Sequence, residues 1–254
     1  MCGIVGVLTN ESGVDMSALR AMTQAIVHRG PDAGDTWCDE AAGIGLGHRR
    51  LSILDLSPAG AQPMHSKDGR WVIVFNGEIY NFRRLRAELE QAGASFVGHS
   101  DTEVLLAGVV AWGVETTLKR TNGMFAIALW DRERRELHLA RDRLGEKPLY
   151  YGWHGKAFLF GSELKALHAW PGFRPDIDRD ALAAYLRHNY IPDPYSIYRG
   201  IAKLTPGCWL TLPAHARLGD RLVPRVYWSL IEAVEHGRRA PFEGSDVDGV
   251  EALD

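Results

Sequence analysis

The residues best equipped for chemistry stand at the start of the chain, where Cys2 follows Met1 and precedes Gly3. If Met1 is removed, a single residue carries both a thiol and a free α-amino group. An unperturbed thiol has a pKa of about 8.5 and an α-amine one of about 8, so the amine can take the thiol proton without help from another side chain. The plainer reading is a small buried hydrophobe opening the apolar run Ile4-Val5-Gly6-Val7-Leu8. A thiolate attacking an amide needs two donors aimed at the developing oxyanion. Asn76-Gly77 offers a side-chain NH₂ and a backbone N–H unobstructed by a Cβ. Asn-Gly is equally the strongest short-range signal for a hairpin turn. If an amino acid bears the amide, its carboxylate can pair bidentately with Arg50 and its ammonium with Asp101. Here too the plainer readings stand: a surface strand arginine beside Arg49, and an acid at the positive end of a helix.

The elements that must hold these residues are mostly short strands. Cys2 to Thr9 reads as a buried strand. Ser17 is placed to cap a helix carrying Leu19, Met22, Ile26 and Val27 on one face, with Gly30 as its stop, and His28 to Asp32 then reads as a turn. Ile44 to His48 and Leu51 to Leu54 read as strand pieces, and Trp71 to Phe75 is a strand running directly into Asn76-Gly77-Glu78. Asn81 is placed to cap a helix through Leu85 and Leu89 to Gly93. Ser100-Asp101-Thr102-Glu103 is a capping box opening a second helix that ends near Trp112. Met124 to Trp130 with Glu136 to Arg141 predicts one hairpin, and Leu149 to Trp153 with Ala157 to Phe160 another. Helices are expected around Glu163–Trp170 and Arg179–His188, with short strands near Cys208–Leu212 and Val226–Trp228. Strands joined as hairpins, without regular crossover helices, favour antiparallel sheets covered by helices over a doubly wound parallel fold.

The 254 residues are 46% apolar, enough to bury a core, and the net charge of −3 is spread over both signs. That distribution argues against nucleic acid or a membrane surface as partner. The N-terminus has no basic region and no apolar stretch long enough for a signal or a span. Three widely spaced cysteines, Cys2, Cys38 and Cys208, lack metal-type spacing and predict a reduced, cytoplasmic protein with no metal site. Val247 to Asp254 reads as the opening turns of an amphipathic helix, which predicts a chain that continues.

Several longer motifs occur in one order: Met1-Cys2-Gly3-Ile4-Val5-Gly6, His28-Arg29-Gly30-Pro31-Asp32, Arg50-Leu51-Ser52-Ile53-Leu54-Asp55, Asn76-Gly77-Glu78-Ile79-Tyr80-Asn81 and Ser100-Asp101-Thr102-Glu103. Gly123-Met124-Phe125-Ala126, the run Arg141 to Tyr150 and the run Gly161 to Leu167 continue the series to about Trp228. Together they resemble the glutaminase domain of glutamine-hydrolysing asparagine synthetases, a class II glutamine amidotransferase of the N-terminal nucleophile hydrolase type. The Arg141 to Tyr150 run and Tyr190-Ile191-Pro192 favour the asparagine synthetase branch over sugar-phosphate and phosphoribosyl amidotransferases.

The resemblance implies an α+β fold, a four-layer αββα sandwich of two antiparallel sheets. It implies Cys2 as nucleophile with its own α-amine as base, and Asn76 and Gly77 as the oxyanion hole. Arg50, the backbone of Leu51 and Ile53, Glu78 and Asp101 would line the glutamine pocket, while His28 would stay structural. A γ-glutamyl thioester would form, ammonia would leave and water would release glutamate. The implied layout is a glutaminase domain over 1–228, then a linker and the start of a C-terminal synthetase domain over 229–254. Such domains use ATP and Mg²⁺ through a Ser-Gly-Gly-x-Asp-Ser loop. No Ser-Gly-Gly occurs here, so no cofactor is expected in this chain. The implied partners are glutamine and that synthetase domain, with a homodimer left open. Two alternatives remain: an amidotransferase serving a non-aspartate acceptor such as a sugar acid, and a non-catalytic binding module.

Overall fold

The first strand, β1 (Gly3–Thr9), lies in the middle of a six-stranded sheet, antiparallel to a neighbour on either side. The computed structural model describes residues 1–10, 13–52, 57–242 and 244. The chain continues through α1 (Met16–Ala25), β2 (Ala33–Asp39), β3 (Ile44–Arg50), β4 (Met64–His65), β5 (Trp71–Ile79), α2 (Phe82–Gln91), α3 (Asp101–Trp112) and α4 (Val114–Arg120). It then forms β6 (Gly123–Asp131), β7 (Glu136–Arg141), β8 (Tyr150–His154), β9 (Ala157–Gly161), α5 (Leu164–His168), α6 (Arg179–His188), β10 (Ile201–Lys203), β11 (Cys208–Pro213), β12 (Arg225–Val226) and α7 (Leu230–Arg239). The first sheet has the order β10-β8-β9-β1-β3-β2 and the second β12-β11-β7-β6-β5-β4, with every pairing of named strands antiparallel.

The two-residue period of the strands sorts their side chains into layers. In β1, Ile4 and Leu8 enter the core between the sheets, while Val5 and Val7 pack outward with Leu19 and Met22 of α1 and Leu167 of α5. In β5, Val72 and Val74 face between the sheets, while Ile73, Phe75 and Ile79 pack with Leu85 of α2 and Leu105 and Val109 of α3. The result is helix, sheet, sheet, helix: the expected α+β, four-layer αββα sandwich of two antiparallel sheets. The same parity carries functional side chains. Cys2 continues the inward series Ile4, Leu8; His48 and Arg50 continue Ile44, Leu46; Asn76 and Glu78 continue Val72, Val74. The interior layer therefore turns polar at one end.

Several local expectations change. Asp15, not Ser17, caps α1, its carboxylate accepting from Ala18 N at 2.9 Å, and the helix stops at Ala25 before a separate 3-10 turn over Val27–Arg29. Asn81 stands at the N-cap of α2 without capping it. Its side chain instead joins Arg120 O and Asn122 N, tying that turn to the start of β6. Ser100 does cap α3 through Glu103 N, but Glu103 turns back to the amides of Val97 and Gly98 instead of closing a reciprocal box. Strand β2 and helices α4 and α7 carry no expectation from the sequence. Leu51 and Ser52 lie beyond the end of β3, and the rest of that expected strand, like the expected helix over 247–254, falls outside the described residues.

Asn76-Gly77 is not a turn. β5 runs unbroken through it, with Asn76 opposite Ala126 and Gly77 opposite Phe125 of β6. A Cβ on Gly77 would sit 2.2 Å from Met124 O and 2.7 Å from Phe125 Cα, so glycine is what lets the two strands close there. Gly77→Ala should therefore push β5 from β6 and destabilise the fold by about 1–3 kcal/mol. A thermal melt indistinguishable from that of the wild type would refute this account of Gly77.

Candidate active site

A cavity of about 170 Å³ opens where the two sheets part. Its lining includes Met1, Cys2, Arg50, Leu51, Gln62, Asn76, Gly77, Glu78, Asp101, Thr102 and Lys147. Seven residues singled out in the sequence, spread over a hundred positions, thus face one space. Ile53, the eighth, lies outside the described residues.

Cys2 leads into β1, whose first residues are fastened from two sides. Arg29 Nε donates to Cys2 O at 2.9 Å, and Arg29 Nη1 is itself held by Glu163 Oε1 at 2.9 Å. Ile4 N and O bond the side chain and backbone of Ser162 at 3.0 and 2.9 Å. The thiol rests on Leu51, 3.4 Å from its N–H and 3.6 Å from its carbonyl oxygen. Arg50 donates to Ser57 O at 3.1 Å. His28, a tempting second base, is turned away from the cavity toward Glu163 Oε1 at 2.9 Å.

Opposite Cys2, Asn76 is 1% exposed and its Nδ2 finds no hydrogen-bond partner among the described residues. Leaving a buried donor unpaired costs a fold about 1–3 kcal/mol. Such groups are rare in the interior of proteins, and Asn76 lines the cavity that holds the thiol. Strand geometry supplies a second donor. Residues of an antiparallel strand point their N–H groups alternately to one neighbour and the other. Just past β5 the amide of Tyr80 bonds to Asn122 O, on the β6 side, whereas those of Phe75 and Ile79 leave the other edge, Phe75 N toward Gln62 Oε1 at 2.6 Å and Ile79 N toward Asp101 Oδ2 at 2.9 Å. Gly77 lies between those two and shares their parity, so its N–H points to the same edge.

One wall of the cavity is built on α3. Asp101 is the first residue of that helix, and its carboxylate crosses to Ile79 N of β5. Burial pushes its carboxyl up to about 6. The N–H groups of Ile79 and Thr102 pull against that shift and the charge of Glu78 adds to it. A carboxylate so placed gains from an incoming ammonium.

Two buried side chains absent from the sequence-based set organise the same ground. His48 Nε2 meets Phe75 O at 3.1 Å, and burial lowers its pKa to about 3, so its ring stays neutral and donates through Nε2. Gln62 accepts from Phe75 N and donates from Nε2 to Thr102 Oγ1 at 3.2 Å. Both polar groups of the Phe75 peptide, next to Asn76, are held in this way, and Gln62 links β5 to the start of α3. A lone Gln before Pro and a His inside an apolar strand carry no signal of such a role. Lys147 is the third omission: it is 5% exposed and lines the cavity.

The chain has recognisable relatives among known proteins. A family model described as "Glutamine amidotransferase domain" matches residues 1–228. Asparagine synthetase [glutamine-hydrolyzing] 1 of Bacillus subtilis is 39% identical over 216 residues, covering 84% of this chain and 33% of its own length. Asparagine synthetase [glutamine-hydrolyzing] 3 of the same organism is 36% identical over 241 residues, covering 93% of this chain and 38% of its own. The chain thus spans about a third of the length of these relatives. Among solved structures, a glutamine phosphoribosylpyrophosphate amidotransferase from B. subtilis shares the fold at TM-score 0.63 and 19% identity, over 89% of this chain and 49% of that one.

Proposed function

We infer the function from one premise: the chain belongs to the glutamine amidotransferase family, matched over residues 1–228 and by relatives at 36–39% identity. On that footing it is the glutamine-hydrolysing part of a longer amidotransferase. The observation that carries the mechanism is that Asn76, whose buried Nδ2 has no partner among the described residues, lines the cavity of the Cys2 thiol.

Removal of Met1 frees the α-amine of Cys2. The amine takes the thiol proton as Sγ bonds to the side-chain carbonyl carbon of glutamine, and Asn76 Nδ2 and Gly77 N–H receive the oxyanion. The protonated amine then returns its proton to the amide nitrogen, the C–N bond breaks, and ammonia leaves a γ-glutamyl thioester. Water adds to that thioester by the same route, the C–S bond breaks, and glutamate departs with the thiol restored. Arg50 pairs with the substrate α-carboxylate, while Asp101 and Glu78 pair with its α-ammonium. Leu51, whose N–H and carbonyl flank Sγ, holds the nucleophile in line. Nothing in this sequence of steps draws on a cofactor from this chain. The relatives' name, asparagine synthetase [glutamine-hydrolyzing], supports asparagine formation as the activity of the longer protein; ammonia delivery to an ATP- and Mg²⁺-dependent synthetase domain, reached through residues 229–254, is part of the same proposal. Among the described residues no helix is long and apolar enough to cross a membrane. Three free cysteines support a reducing, cytoplasmic setting.

The direct test is mass spectrometry after exposure to a diazoketone analogue of glutamine. Loss of Met1 with one label on residue 2 is expected; a free Cys2 that stays unlabelled would favour a binding module instead.

Asp101 gives the reaction a pH dependence. Its raised pKa means that the neutral form suits the empty fold, so the stability it lends is complete below about pH 4 and is lost as pH rises through about 6. The substrate ammonium needs the opposite, ionised form. Glutamine affinity should therefore weaken about tenfold for each pH unit below 6. In Asp101→Asn binding should be poor at every pH while the melting temperature holds. Calorimetric titration at pH 5, 6 and 7 decides it: a variant that binds like the wild type but melts earlier would reduce Asp101 to a helix-terminus acid.

A further inference from the structure

Lys147 presents an ammonium that the steps above leave unused. Its side chain is 95% removed from solvent, yet it pairs with no carboxylate among the described residues, and its one side-chain polar contact is Met1 Sδ at 3.5 Å. Burying an unpaired charge is expensive, and in a cleft beside a nucleophile such a group is a functional candidate. Its backbone is also firmly set. Lys147 N donates to Asp142 Oδ2 at 3.0 Å, and Lys147 O accepts from Arg141 Nε at 2.8 Å. Asp142 in turn accepts from the amides of Phe125, Leu144 and Glu146, so the loop that aims Lys147 is bolted to β6 and β7.

We propose that Lys147 holds the α-amino group of the processed Cys2 in its neutral, proton-accepting form. The ammonium touches the residue whose removal creates that amine and shares its cavity. A fixed positive charge disfavours a second one nearby, so the amine stays free to take the thiol proton at neutral pH, and the same charge favours the thiolate that results. No proton leaves Lys147 in any step. The other charged groups around Cys2 are Arg29, engaged by Glu163 and by Cys2 O, and Arg50, Glu78 and Asp101 on the cavity wall. The two carboxylates oppose the effect and Arg50 adds to it, but among the described residues it is Lys147 whose charged group makes a polar contact with Met1. The inference rests on the N-terminal-nucleophile reading of Cys2.

The test compares wild type, Lys147→Met and Lys147→Arg, each with Met1 removed. The rate of Cys2 alkylation by iodoacetamide is followed against pH by peptide mass mapping. This probe needs no substrate pairing with Arg50 or Asp101, and the charge of Asp101, which changes near pH 6, is common to all three proteins and cancels in the comparison. In Lys147→Met the midpoint should rise by about one pH unit or more, the acid limb of kcat/KM for glutamine should move with it, and the melting temperature should not fall. Lys147→Arg should stay near the wild type. Coincident profiles for wild type and Lys147→Met, or an equal shift in Lys147→Arg, would overturn the role of Lys147 while leaving the glutaminase intact. Should Lys147→Met fail to fold, Lys147→Gln supplies the uncharged arm under the same criterion. A wild type whose Cys2 reacts no faster than Cys38, and which hydrolyses no glutamine, would remove the parent reading and this one with it.

Discussion

Cys2→Ala is expected to lower glutamine hydrolysis by a factor on the order of a million, the scale of loss when the nucleophile is removed from a hydrolase in which nucleophile and base act together. The fold should not notice. Cys2 is half-buried, and its thiol makes only long contacts to Leu51. The anchors of that segment are backbone groups, Cys2 O to Arg29 and Ile4 to Ser162, which alanine retains. Glutamine should still bind, because Arg50 and Asp101 are untouched. A clean separation is therefore predicted: no turnover, normal melting, and a measurable dissociation constant by calorimetry. Appreciable residual turnover would take Cys2 out of its role and leave its place in the cavity unexplained.

Asn76→Ala should show the second-largest loss, about 100- to 1000-fold in kcat with KM little changed, since its donor is needed only when charge develops on the carbonyl oxygen. The structure adds an unusual companion effect. Most buried asparagines are satisfied, and truncating them strands a partner; here Nδ2 has no partner to strand. Removing an unpaired buried donor relieves a penalty of about 1–3 kcal/mol, which offsets the cavity left by the smaller side chain. The melting temperature should consequently change little, or rise. A large loss of stability with kcat preserved would mark Asn76 as a packing residue.

Much of what lines the cavity was legible in residue types and in the ordered motifs that contain them. The structure adds that Cys2, Arg50 and Asn76 each extend an inward-facing apolar series, which brings all three to the end of the same interior layer. Helix α3 was equally legible, since Ser100 before an apolar run is a local signal that survives packing. What escaped was non-local. Asn81 has the chemistry of a cap but spends it across 39 positions on Arg120. Asn-Gly prefers a turn on its own and is overruled by the register of β6. Gln62, His48 and Lys147 take their meaning from the Phe75 peptide and from Met1, contacts that no spacing along the chain encodes.

The central position of β1 has a consequence in time. Its two partners are β3, complete by residue 50, and β9, which ends at residue 161. During synthesis the first strand can find one neighbour early but must wait for the other until about 160 residues have been made, roughly 10–30 s at ordinary translation rates. Through that interval the segment that carries Cys2 is held on one side only, on a growing chain. The Met1 removal that the proposed function requires would fall in this window, before β9 closes the second edge of β1.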